Sequence, residues 1–521
     1  MILSIMKNIR YNKSRLIIVM AALLSVASCK KLDEKVYSST IPDNYFQTKD
    51  QVMSGFVMPY TFIQTHIYQV HFALQEFVTD EAVAPVRGGY VDQNGAWNRF
   101  HQHTWTSAEP WIELEWNDMF QGIGYCNTFI DAIKDKDVSK MDLPVSKQQM
   151  IAETKMVRAL HYYWALCDFG NVPIVEHVGE ANPPTKTSAE VFAFIEKEIK
   201  DNIPLLSDKG ETGWYGHFTK TSARALLAKL YLNSQWLTGT DRYEQCIEQC
   251  NAIIESGDYN LDEAWNTPFL AHNEGSQENI FVVPFDANRA PQFNAAQQQL
   301  HWSLAGPKYG LEDAWYKTVS QESFFNLFPD NDRRKSQWLY GPQFYTNEDG
   351  EEEPIYDGDE QLVLNPEIES LFNTEGGYYD GVVNIKYEVE YSTLPNMNND
   401  LVVFRLSDIM FMKAESLMRK NGGAATAAAV KLVNDVRARS FEDGDPDATY
   451  TTATLMLDEL LNERGREFAY EMYRREDLIR FGHFNDAWWE KEESQPFRKF
   501  FPVPFNALTT NPALKQNPGY N

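Results

Sequence analysis

Between Asp80 and Trp116 the chain carries Arg87, Tyr90, Asp92, Asn94, Trp97 and Asn98, followed by Trp105, Trp111 and Trp116. Flat rings and fixed hydrogen-bonding groups within a dozen residues suit a pyranose. Its C–H face packs on an indole or phenol ring, and its hydroxyl rim is read by side chains such as Arg, Asp and Asn. Pro85, Gly88, Gly89 and Gly95 interrupt the stretch and no apolar period runs through it, so it reads as a long ordered loop, a common setting for binding residues. Trp105, Trp111 and Trp116 read as core. Trp97, flanked by Gly95 and Asn98, reads equally well as an exposed ring or a core one.

The whole chain bounds what that loop can serve. It has 521 residues, 43% hydrophobic and 13% aromatic, ample for a core and unlike a disordered chain. A net charge of −27 leaves no basic face with which to displace counterions from a nucleic acid. Such a balance says nothing about a neutral ligand.

Residues 1–28 read as a lipoprotein signal peptide. Lys7, Arg10, Lys13 and Arg15 flank an apolar run, Leu16 to Val26, too short to span a bilayer. It ends Val26-Ala27-Ser28-Cys29, the pattern of a bacterial lipobox, so Cys29 is the expected lipidated first residue of the mature chain. Residues 29–49 then read as a tether and 50–521 as one domain. Cys126, Cys167, Cys246 and Cys250 read as small buried apolar residues, since none has the neighbours of a zinc site and Cys246 and Cys250 lie badly placed for a bridge on one helix. His101 and His103 lack an evident third ligand. Neither a metal nor another cofactor is expected.

Helical patterns place that loop on a mainly α scaffold. Apolar spacing and caps predict helices over Asp50–His66, Trp111–Lys134, Ser146–Phe169, Ser188–Asn202, Thr219–Leu237 (capped near Thr221) and Asp241–Ser256. After these, Gly257 to Val403 is irregular, with a β-like run at Ile280–Val283 and a local helix near Gln321–Leu327. Its acidic run, Glu348 to Glu353, reads as a solvated turn rather than a calcium loop. Helical pattern returns with Ser407 as a cap for Asp408–Lys420, a hairpin to Ala424–Arg439, and one long helix from Thr452 or Thr454 to Phe481. On that last helix Glu471 and Arg475 are expected to face each other, among other ion pairs along and between helices.

Five motifs in order resemble the SusD/RagB family of outer-membrane nutrient-binding lipoproteins. They are the lipobox with its tether; the Asp80-Glu81 to Trp105 stretch; Arg158-Ala159-Leu160-His161-Tyr162-Tyr163 leading to Phe169-Gly170-Asn171-Val172-Pro173; Arg405-Leu406-Ser407-Asp408 with Leu432-Val433-Asn434-Asp435-Val436-Arg437; and Glu463-Arg464 to Arg480, with Gln516-Asn517-Pro518-Gly519-Tyr520 at the end. The resemblance implies tetratricopeptide-like helical hairpins forming a scaffold beside an irregular loop and short-strand ligand part. That scaffold would span about 50–79, 106–256 and 403–490, the ligand part about 80–105 and 257–402. It implies glycan capture without catalysis, at the outer face of the outer membrane, and delivery to a SusC-like TonB-dependent transporter. By position it places ligand contacts on Arg87, Trp97, Asn98, Trp302, Tyr309 and Trp315, ahead of Asp332 and Arg333, although Tyr316-Lys317 departs from the family's usual Asn-Gly. Tyr90 and Asp92 join this set from the chemistry of the loop. Three other readings stay open: the same architecture capturing peptides, a glycoside hydrolase with two opposed carboxylates, and a helical scaffold for protein partners.

Overall fold

Helices follow from caps and amphipathic faces. In a computed structural model that describes residues 46–89, 92–393 and 395–520, the scaffold helices are α1 (Lys49–His66), α2 (Pro110–Ile133), α3 (Lys147–Phe169), α4 (Ser188–Asn202), α5 (Lys220–Leu232) and α6 (Tyr243–Ser256). Thr48 and Thr187 close capping boxes on α1 and α4, and Ser146 caps α3, so each helix starts where a side-chain oxygen satisfies an orphan amide. Gly170 ends α3 at φ 66°. Neighbours in sequence pack on each other, α1 on α2, α2 on α3, α3 on α4, and α5 on α6. These are hairpins of the tetratricopeptide kind. The signal peptide, the tether up to residue 45 and Cys29 lie outside the described residues, and the described residues cluster as one unit.

Two predicted boundaries move. The cap of α5 is Thr219, not Thr221, and the helix breaks at Asn233 before a short turn, Ser234–Thr238, that Gly239 ends. Asn233 is buried there, and its side-chain amide serves Tyr163, Glu476 and Arg480.

The middle of the chain is irregular, as expected, apart from short helices such as Ala295–Gln299 and α7 (Trp302–Tyr309). Strand β1 (Asn279–Val283) pairs antiparallel with β2 (Leu401–Arg405), Val282 opposite Val402. The acidic run forms the turn of a small hairpin, Phe344–Thr346 against Glu352–Pro354, with Gly350 at φ 82°. The predicted local helix is a single turn, Glu322–Phe325.

From β2 the chain enters α8 (Leu406–Lys420) directly. Ser407 is therefore not its cap: it is buried in the first turn with its hydroxyl on Glu278, and Arg405 holds the cap position. Helix α8 packs on α6 and on α9 (Ala427–Arg437), which Thr426 caps. The single long helix predicted after Thr452 is two, α10 (Leu457–Phe468) and α11 (Arg474–Phe481). Between them Tyr470 and Met472 adopt φ values of 60° and 64°, costly for non-glycine residues. What sustains the break is capture of the freed backbone. Tyr470 N–H donates to Glu81, Met472 N–H to Glu76 at 2.7 Å, and Lys386 Nζ donates to the carbonyls of Glu467 and Ala469 at 2.7 and 3.1 Å. Glu471 and Arg475 consequently do not face each other. Glu471 meets Arg405 and Lys386, whereas Arg475 meets Asp168 at 3.0 Å. Other ion pairs run both ways, along a helix, as Arg466 to Glu463 at 2.9 Å and Arg480 to Asp477 at 2.6 Å, and between elements, as Arg464 to Asp477 at 2.7 Å.

Candidate functional site

The stretch read as a loop contains a helical turn. Gln93, Asn94 and Gly95 take left-handed backbone, and Ala96–His101 is a short helix. Ala96, Trp97, Asn98, Phe100 and His101 are all buried and only Arg99 is partly exposed, so the turn has no polar face from which a period could be read. Trp97 and Asn98 are thus held on a helix and not on a loop. His101 and His103 are buried, bonded to the carbonyls of Trp489 at 2.7 Å and Val78 at 2.9 Å, and do not converge.

A cavity of about 400 Å³ opens beside this helix. Arg87, Gln93, Trp97, Asn98 and Trp111 form one wall, and Gln298, Trp315, Tyr316 and Lys317 the other. The described residues that line it include no Asp or Glu. The second wall is set by backbone: the amides of Trp315, Tyr316 and Lys317 donate to the carbonyls of Gln297, Leu300 and Gln298 at 2.7, 3.0 and 2.8 Å.

Each expected residue has a distinct place. Trp97 is only 2% exposed, tilted against Trp111 at 4.5 Å and Phe77 at 4.9 Å, with one face of its pocket turned to the cavity. Trp315 lines the same cavity and is 48% exposed, its indole N–H held by Asp313 at 2.8 Å. Arg87 is buried. Its Nε and Nη2 donate to the carbonyls of Tyr316 and Asp380 at 3.3 and 2.8 Å, its Nη1 to that of Gly377, and its guanidinium stacks 3.9 Å from the Tyr316 ring. It therefore ties the two walls together, and burial pulls its pKa down. Burial likewise pushes the Tyr316 phenol up to about 12.

Trp302, 40% exposed, lies outside the cavity on a neighbouring aromatic shelf. It stands 6.1 Å from Tyr316 and 6.3 Å from Tyr378. Asp357 fixes the shelf, accepting from Trp302 Nε1 at 3.1 Å, Ser303 Oγ at 2.6 Å and Tyr379 Oη at 3.1 Å. Burial would raise its carboxyl, but those three bonds outweigh burial and hold it below the usual range. Tyr309 is buried at the end of α7, away from the cavity lining. Asp332 is buried against Arg334, and Arg333 pairs with Glu442 at the surface. Tyr90 and the side chain of Asp92 lie outside the described residues.

Sequence reasoning missed Gln298, Tyr378 and Asp357, which carry no local signal. It also took Trp111 as core, yet Trp111 is half-buried and faces the cavity.

Tyr378 reaches the first wall at Gly88, where φ is +56° and an added Cβ would lie 2.0 Å from the Tyr378 hydroxyl. Gly88 N–H also donates to Gly376 O at 2.9 Å. Gly88→Ala is expected to cost about 1–3 kcal/mol of stability, from backbone strain plus displacement of that ring. Urea titration measures it. Wild-type stability in the variant would show that Tyr378 swings away freely and that the two segments are not locked.

The match to known proteins agrees with this architecture. A model described as the SusD family matches residues 257–498, and one described as starch-binding associating with outer membrane matches residues 32–232. The starch-binding protein SusD of Bacteroides thetaiotaomicron is 24% identical over 505 residues, covering 88% of this chain and 86% of that protein. SusD-like protein P25 of Formosa agariphila is 22% identical, covering 97% and 98%. Among solved structures, surface glycan-binding protein A of Bacteroides thetaiotaomicron, in complex with laminarihexaose, superposes with a TM-score of 0.70 at 18% identity, over 90% of this chain and 99% of that one. A SusD superfamily protein of Parabacteroides distasonis gives 0.71 at 18% identity, over 91% and 99%. Two of these relatives are named for binding, one for starch and one for surface glycan, and none of the four for catalysis. With both halves of the chain matched and the helical architecture shared, the chain belongs to the SusD family.

Proposed function

We propose that this protein captures oligosaccharide at the cell surface and passes it to a SusC-like TonB-dependent transporter, held to the outer membrane by lipid on Cys29. The carrying observation is the exposed Trp315 indole lining one 400 Å³ cavity together with Trp97 and Asn98. An accessible ring offers a sugar its stacking face, and Asn98, Gln93 and Gln298 offer donors and acceptors at the rim. The relatives named for starch, laminarihexaose and outer-membrane association support the same reading. No helix among the described residues is long and apolar enough to cross a membrane.

The test is a glycan array beside a peptide panel, followed by calorimetric titration of the best ligand. Trp315→Ala is expected to weaken binding about tenfold, close to 1.4 kcal/mol, with an unchanged melting curve. Trp97 is a poorer probe, because truncating a ring packed on Phe77, Phe100 and Trp111 also weakens the fold. Binding confined to peptides, or undiminished glycan binding by folded Trp315→Ala, would overturn the reading.

A further inference from the structure

Between α1 and Phe72 the chain makes one π-helical turn, Ile67–His71. Such turns are rare and recur at functional sites. Its last residue, His71, points into the scaffold interior, where Glu115 of α2 and Asp168 of α3 converge on it. The three ligand atoms lie within 4.8 Å of one another, and all three residues are buried. His71 Nδ1 is 2.7 Å from Glu115 Oε1 and 3.9 Å from Asp168 Oδ2. Tetrahedral coordination at about 2.0–2.1 Å needs roughly 3.3 Å between donors, midway between these two values.

The polar inventory leaves something out. Asp168 Oδ1 accepts from Gln75 at 2.9 Å and from Arg475 at 3.0 Å. Glu115 Oε2 and Asp168 Oδ2, however, are buried with no hydrogen-bond donor. Two carboxylates thus face one guanidinium in a dry interior, with two oxygens unserved and excess negative charge unless a cation or proton joins them.

We propose that His71, Glu115 and Asp168 form a structural site for a divalent cation of the zinc or manganese class, filled as the scaffold folds. One imidazole with two carboxylates suits that class, and burial explains why the ion would stay. The site pins the π turn to α2 and α3, at the scaffold's centre and apart from the glycan cavity.

The full mature chain is refolded from denaturant with zinc chloride, with manganese chloride, or with chelator, then dialysed and assayed for metal by mass spectrometry. Wild type is expected to retain about one equivalent and to melt higher than the chelator-refolded sample. Glu115→Gln, isosteric with a protonated carboxyl, is expected to retain roughly tenfold less or lower still, with wild-type circular dichroism. Wild type that takes up neither metal, or Glu115→Gln that holds metal as wild type does, overturns the site and leaves a shared proton as the balance. Should Glu115→Gln fail to fold, X-ray absorption on wild type decides. A nitrogen and oxygen shell with one imidazole supports the site, and a shell without imidazole rejects it.

Discussion

Arg405→Met is expected to destabilise the protein by about 3–5 kcal/mol. Arg405 is fully buried at the end of β2. It donates to Glu278 at 2.7 Å, to Glu467 at 2.8 Å, to both oxygens of Glu471 at 2.8 Å, and to the Glu467 carbonyl at 2.9 Å. Lys386 and Arg439 share the same carboxylates. Truncation to an apolar side chain of similar length leaves packing largely intact but strands ionised carboxylates without their main partner. Desolvated charge without a partner is what makes the loss large, far beyond a surface ion pair. Urea titration gives the number. A loss under about 1 kcal/mol would mean that Lys386 and Arg439 suffice and that Arg405 is redundant. Adding Glu471→Gln is expected to recover part of the loss, since it removes one stranded charge.

That network also explains where the sequence was legible and where it was not. Helices α3 and α4 announce themselves through Ser146, Thr187 and Gly170, local signals that act within one turn. The Glu463–Arg480 stretch has helical spacing throughout, so it reads as one helix. Its break at Tyr470 depends on Glu76, Glu81 and Lys386, brought from hundreds of residues or a whole irregular segment away. No local pattern encodes those partners. Ser407 fails as a predicted cap for a similar reason, because Glu278 claims its hydroxyl.

The candidate site shows the same division. Residue types between Arg87 and Asn98 point to a sugar-like ligand because composition alone carries that chemistry. Geometry changes the roles: Arg87 spends its donors on three carbonyls and braces the wall, while Trp97 is walled in by Phe77 and Trp111. Trp315, suggested by position, stands exposed at the cavity. Gln298 and Asp357 belong to segments whose placement only long-range pairing decides. His71, Glu115 and Asp168 are separated by whole helices, and no spacing rule connects them.

Acid is expected to unfold the protein steeply between about pH 4.5 and pH 2. Burial alone would raise the carboxyls of Glu415, Glu463, Glu467 and Asp477, but the guanidinium groups around them more than reverse it. Glu415 is held down to about 2 by Arg480, Arg419 and Arg464. Glu463 is held to about 2 by Arg334, Arg466 and Arg437. Glu467 and Asp477 are driven well below the carboxylate range, the first chiefly by Arg405 and Arg439, the second by Arg464 and Arg480. A folded-state pKa below the unfolded one stabilises at every pH above the unfolded value, and that stabilisation drains away as pH falls through the folded one. For Glu415 and Glu463 the shift from 4.5 to about 2 corresponds to roughly 3 kcal/mol each. Glu76, pushed up to about 8 by burial, does not offset this, because below pH 4.5 it is protonated in both states. Melting temperatures by circular dichroism at pH 7, 5, 4 and 3 test the slope, expected to fall sharply beneath about pH 5. Raising salt is expected to change the slope little, since the pairs are buried and weakly screened. A protein equally stable at pH 3 and pH 7 would mean that these carboxyls already share protons when folded, and that the arginines between α8, α10 and α11 hold shape without holding charge.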